Sequence, residues 1–173
     1  MRSNSQRIKD MTFVAIFVAI ISVISQISFP TPSAVPITLQ TLIIPFTGYY
    51  LGIKRATISI LIYIMLGLIG VPVFASFQGG LYVILGPTGG FIWGFLIIVI
   101  LCSLFAKTRL AIPVGISSMF LCHIAGIFQY TIVMKTSPWA AIISVSFPYI
   151  VKDIIFVLLA YFLSSKIQKR IQP

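Results

Sequence analysis

The stretch PTGGFIWGFLIIVILCSLFA, Pro87 to Ala106, contains no charged residue and is followed at once by Lys107 and Arg109. An unbroken apolar run of about 20 residues is long enough, as a helix, to cross the hydrocarbon core of a bilayer. The rest of the chain repeats this pattern. Of its 173 residues, 59% are hydrophobic and 8% charged, and the mean hydropathy is +1.12. A soluble domain carries about 25% charged residues, so there is too little polar surface here to cover a water-soluble globule. The length allows at most about six or seven spans with short loops. The expected fold is an all-α integral membrane protein of about six transmembrane helices, forming one membrane-embedded domain over residues 1–173.

Outward from this run, breakers and apolar stretches mark the other spans. A cytoplasmic segment, residues 1–10, precedes a first helix from Met11 to Phe29. That helix follows Arg2, Arg7 and Lys9 as a signal peptide would, but its length and the lack of an A-x-A site predict an uncleaved span. Pro30, Pro32 and Pro36 make a rigid loop. Helix 2 is expected over Ile37 to Ile53, a basic turn at Lys54 and Arg55, and helix 3 over Ala56 to Gly70. Val71 to Leu85, broken by Pro72 and Gly79-Gly80, reads as an outer loop dipping into the protein or the interface. Helix 5 spans Ile112 to Met134, Trp139 to Phe147 suits a short interfacial helix, and helix 6 runs from Pro148 to Leu163.

The net charge is +10. A nucleic-acid binder gathers its basic residues on one solvated face, whereas these lie in short runs between apolar segments. Arg2, Arg7, Lys9, Lys54, Arg55, Lys107, Arg109, Lys166, Lys169 and Arg170 all fall on one side of the expected topology, and Lys135 alone lies in an opposite loop. The positive-inside rule then places both termini in the cytoplasm, in a multi-pass protein of the cell membrane that contacts lipid and no nucleic acid.

Enzymatic machinery is thin. There is no G-x-x-x-x-G-K-[ST] loop and no Glu, and His123 is the sole histidine. It reads as a core histidine bonded to a neighbour, and Cys102 and Cys122 as small buried hydrophobes. No metal site and no cofactor are expected. Lys152 and Asp153 stand out, because a charge at mid-membrane costs roughly 2.5–3.5 kcal/mol. They could pair with each other. Adjacent helical residues point about 100° apart, however, which better suits a ligand with two polar ends. Thr38, Gln40 and Thr41 open helix 2 on the same outer side, either as helix-start chemistry or as ligand contacts. Gln78 in the outer loop is a weaker candidate. Ala15-x-x-x-Ala19, continued by Ser22, puts small side chains on one face of helix 1, for packing within the chain or against another protein.

VPITLQTL (Val35 to Leu42), GLIGVPVFA (Gly67 to Ala75) and LGPTGG (Leu85 to Gly90), in this order and spacing, resemble the biotin-specific S components of energy-coupling-factor (ECF) transporters, the BioY family. The resemblance covers most of the chain from Val35 to helix 6. It implies a six-helix substrate-capture subunit that binds biotin at its outer face and works with a transmembrane T component and two cytoplasmic ATPases. It also implies that Ala15 and Ala19 face the T component. At helix 6 the family pattern is P-F-x-P-G-D with a lysine three residues after the Asp. Pro148 and Asp153 match, Phe156 stands where that lysine would be, and Lys152 lies one turn earlier on the same face. On this reading Asp153 accepts from the ureido group, Lys152 pairs with the carboxylate, and Gln40, Thr38 and Gln78 complete the site. The rival readings are an S component for thiamin or riboflavin, an integral membrane enzyme, and a stand-alone transporter.

Overall fold

The computed structural model describes residues 3–171. Arg2, counted above among the cytoplasmic basic residues, lies outside them. Eight α-helices are present among the described residues, with one 3-10 turn at Ala75–Phe77. Six are long: α1 (Asn4–Ile24), α2 (Gln40–Leu51), α3 (Ile53–Leu68), α5 (Gly89–Phe105), α6 (Ala111–Met134) and α8 (Phe147–Ile171). Two are short: α4 (Leu81–Leu85) and α7 (Pro138–Val145). Helices α6 and α8 are long and apolar enough to cross a membrane, and α5 is a shorter apolar helix. Large apolar side chains are exposed all round the bundle, among them Met11, Val23, Met65, Phe128, Val151 and Phe162. Helices apolar on every side suit a lipid surround, as expected of a membrane protein.

Helix α1 begins seven residues before the expected Met11. The Ser3 hydroxyl caps it by accepting from the Gln6 N–H at 3.2 Å, and a polar first turn hides this start from an apolar-run reading. The helix also ends early. Ser28–Phe29 forms a strand, β1, paired antiparallel with β2 (Ile37–Thr38) across the proline loop. This two-residue ribbon is the exception to an all-helical fold. The expected basic turn at Lys54 and Arg55 is helical instead. Gly52, at φ +74°, makes the reversal alone, and the two cations form the first turn of α3. Lys166, Lys169 and Arg170 likewise lie within α8, where cations near a helix C-terminus are favourable.

The core is built on α5. Ile98 and Val99 are fully buried, as are Ile44 of α2 and Ile60 and Tyr63 of α3. Against α6, α5 packs backbone to backbone. A Cβ on Gly94 would strike Cys122, and one on Gly90 the Ala125 carbonyl. Small residues that permit such approach are typical of helices packed in lipid. The chain alternates direction, so the two ends of the bundle differ. One end gathers the N-terminus of α1, the Gly52 break, the α5–α6 connection and the end of α8, with nine of the basic residues named above. It is tied by Arg55 Nε to Asp10 at 2.8 Å and by Gln168, which donates to the Tyr49 and Tyr50 carbonyls at 3.1 Å. The ribbon, the Val71–Gly80 connection and the start of α8 make the other end.

Candidate functional site

At the ribbon end, α2, α5, α6 and α8 enclose a cavity of about 690 Å³, open mouth included. Its wall is largely apolar, with Phe74, Phe91, Phe95, Met119 and Val145 prominent, and polar groups converge on the side where α2 meets α8. That composition fits a small ligand with an apolar body and a few polar groups to be recognised. Thr38, Gln40, Gln78, Lys152 and Asp153, from three separate parts of the sequence, all line it.

The two ions differ from expectation in one respect. Lys152 and Asp153 form an ion pair between Nζ and Oδ1. Their Cα–Cβ directions diverge, but four methylenes let the lysine stem curl back to the neighbouring carboxylate. Lys152 Nζ also donates to Thr41 Oγ1 at 2.8 Å and sits 4.9 Å from the centre of the Phe156 ring. The residue at the family's lysine position therefore contacts the lysine one turn away as a cation–π partner. Asp153 is 3% exposed, and its second oxygen meets His123 Nε2 at 3.1 Å. A carboxylate only accepts, so Nε2 carries the proton. With both oxygens held, the carboxylate plane is fixed.

Gln40 is buried and donates from Nε2 to the Tyr63 hydroxyl at 2.8 Å, which donates to Ser25 Oγ at 3.0 Å. This chain across α2, α3 and the end of α1 orients the Gln40 amide. Thr38 Oγ1 accepts from the Gln40 N–H at 3.3 Å, a local turn just ahead of the α2 cap residue Leu39 and inside the cavity wall. Gln78 is exposed at the mouth, and its carbonyl accepts from the Phe74 N–H at 2.9 Å. The mouth is braced by Gln26, which donates to the Pro72 carbonyl at 3.3 Å and accepts from the Phe77 N–H at 2.8 Å.

Four participants lie outside the set of expected site residues. His123 is bonded to a neighbour as expected, but that neighbour is Asp153 and the ring lines the cavity. Tyr149 donates to the Val35 carbonyl at 2.6 Å and fixes the loop over the cavity. Tyr63 supports Gln40, and Cys122, buried as expected, also lines the wall. The LGPTGG turn is pinned by Gln129, which donates to the Ile84 and Gly86 carbonyls at 2.7 and 2.8 Å. Among the described residues no group of three or more His, Cys, Asp or Glu is placed to hold a metal.

Ala15 and Ala19 do not line this cavity. Val14, Phe17, Val18 and Ile21 form the buried face of α1, and both alanines are exposed on the other. Ala15 borders a groove shared with Ile58 and Ile62 of α3, and neither alanine is buried within the chain.

The BioY family model matches residues 1–173. The biotin transporter BioY of Thermotoga maritima is 31% identical over 166 residues, covering 93% of this chain and 96% of that protein. A probable biotin transporter BioY of Pyrococcus horikoshii is 51% identical over 87 residues, about half of each chain. The crystal structure of the S-component for biotin from an ECF-type ABC transporter superposes with a TM-score of 0.88 at 26% identity, covering 98% of this chain and 95% of that one.

Proposed function

The chain belongs to the BioY family, and from that membership we infer that it is the S component of an ECF-type importer, capturing biotin for ATP-driven uptake by partner subunits. It is a transport subunit and not an enzyme. The observation that carries the reading to particular residues is the convergence of Thr38, Gln40, Lys152 and Asp153 on one side of an otherwise apolar cavity. Biotin offers a matching surface: an apolar bicycle and valeryl chain, a ureido group with two N–H donors, and a carboxylate. The body lies against Phe74, Phe91 and Phe95. The ureido N–H groups donate to Asp153 and the Gln40 carbonyl, and Lys152 serves the carboxylate. The ureido and carboxylate groups are at opposite ends of the molecule. Lys152 must therefore leave Asp153 on binding, while His123 keeps the carboxylate in place.

Purified chain in detergent is expected to bind labelled biotin saturably at one site, without displacement by excess thiamin or riboflavin. Displacement by either vitamin in equilibrium dialysis sinks the assignment of substrate.

The six long helices are taken as six spans, with the basic end and both termini in the cytoplasm. The partners are a transmembrane T component and two cytoplasmic ATPases, since the chain has no nucleotide-binding loop of its own. In intact cells, Lys54→Cys is expected to resist an impermeant thiol reagent and Ser33→Cys to react, while Cys102 and Cys122 stay silent because they are buried. The reverse pattern excludes this orientation.

A further inference from the structure

The basic end of the bundle holds a second cavity, wider than the first. It opens where α2 breaks into α3 at Gly52, and is walled by Lys9 of α1, Lys54 and Arg55 of α3, and Lys107 just beyond α5. These four cations come from three separate parts of the sequence. Arg109, Lys166, Lys169 and Arg170 lie at the same end and do not line it. The chain has two acidic side chains, Asp10 and Asp153. Only Asp10 is at this end, where it pairs with Arg55. One acidic side chain against the four cations that line the cavity leaves a concave surface of positive potential. The first turn of α3 lines the same cavity, so its dipole adds to that field. Of the carbonyls at the Gly52 break, those of Tyr49 and Tyr50 are bound by Gln168 and not by these cations.

The wall is also amphipathic. Phe13, Ile53 and Leu104 line it beside the lysines and are exposed. A soluble anion would satisfy the cations and leave these side chains bare, whereas a phospholipid satisfies both. Basic pockets between membrane helices on the cytoplasmic side are suited to anionic headgroups. We propose that this cavity binds an anionic phospholipid of the inner leaflet, its phosphate among Lys9, Lys54 and Lys107 and its acyl chains along Phe13, Ile53 and Leu104. The placement in the inner leaflet rests on the orientation given above.

The test uses the purified chain with phosphatidylglycerol or phosphatidylcholine added, and counts retained lipid by native mass spectrometry. Phosphatidylglycerol is expected to be retained selectively. Each lysine contributes about fivefold, so Lys9→Gln/Lys54→Gln/Lys107→Gln weakens retention on the order of 100-fold, and Lys107→Gln alone about fivefold. Biotin binding at the opposite end stays intact and reports that the variant is folded. Lys166→Gln/Lys169→Gln/Arg170→Gln removes the same charge outside the cavity and retains the lipid. Equal loss in both triple variants would reduce the effect to diffuse charge and defeat the proposal. So would no selectivity over phosphatidylcholine, or competition by glycerol phosphate as effective as by the lipid. If the cavity variant keeps its lipid but no longer assembles with its partner subunits, the surface belongs to a protein and the lipid assignment fails.

Discussion

Asp153→Asn is expected to lower biotin affinity about 10- to 150-fold, because a hydrogen bond to a buried charged acceptor contributes about 1.5–3 kcal/mol and 1.4 kcal/mol is a factor of ten. The substitution keeps size and shape, so the cavity persists. It weakens the acceptor offered to the ureido group and removes the charge that balances Lys152, which retains Thr41 and the Phe156 ring. Lys152→Met separates two geometries. If Lys152 swings from Asp153 to the ligand carboxylate, this variant binds biotin weakly but binds an amidated biotin almost as the native chain does. If Lys152 stays on Asp153, both ligands lose equally, and the carboxylate contact assigned to Lys152 is wrong. The resting ion pair sharpens the control. A pair that serves only itself leaves one buried ion alone in either single variant, which destabilises by about 3–5 kcal/mol, while Lys152→Met/Asp153→Leu restores stability. Restored stability alone is compatible with a binding role. Restored biotin affinity in that double variant, measured by titration calorimetry, would falsify the contact of these residues with ligand.

The membrane character and most long helices were legible because apolar run length is a direct consequence of bilayer thickness. Their ends were legible only where a proline, glycine or charge marked them. The expected boundaries at Met134 and Pro148 lie within a residue of the observed ones. The polar start of α1, and the ribbon at Ser28 and Phe29, follow from a capping hydroxyl and from pairing with Ile37 and Thr38, neither of which leaves an apolar signature. The candidate site was legible as a set of misplaced polar residues, since Gln40, Lys152 and Asp153 in otherwise apolar helices are costly unless partnered. How those residues meet was not. The Lys152–Asp153 pair depends on side-chain reach rather than helix geometry. The His123–Asp153 bond joins residues 30 apart, and the Gln40–Tyr63–Ser25 chain joins three helices. Such long-range pairings carry no local pattern.

Ala15→Trp/Ala19→Trp is expected to abolish assembly with the T component and ATP-driven uptake while leaving biotin affinity unchanged. Both alanines are one turn apart on the exposed face of α1, opposite the buried Val14, Phe17, Val18 and Ile21. Indoles placed there point away from the core and the alanines do not line the cavity, so fold and cavity are expected to tolerate them. Small residues one turn apart allow another helix to approach closely, and association in lipid depends on that fit because hydrophobic burial gives little net drive. Two large side chains hold a partner helix off along the whole contact. Ala15→Gly/Ala19→Gly keeps the approach and is expected to assemble, which guards against a trivial effect of altering α1. Copurification with the T component and ATPases, beside biotin titration on the isolated chain, reads both arms. Tryptophan variants that assemble normally would move the docking surface to another face. Loss of biotin binding with intact assembly would instead make the two alanines part of the chain's own packing, against the exposure seen here.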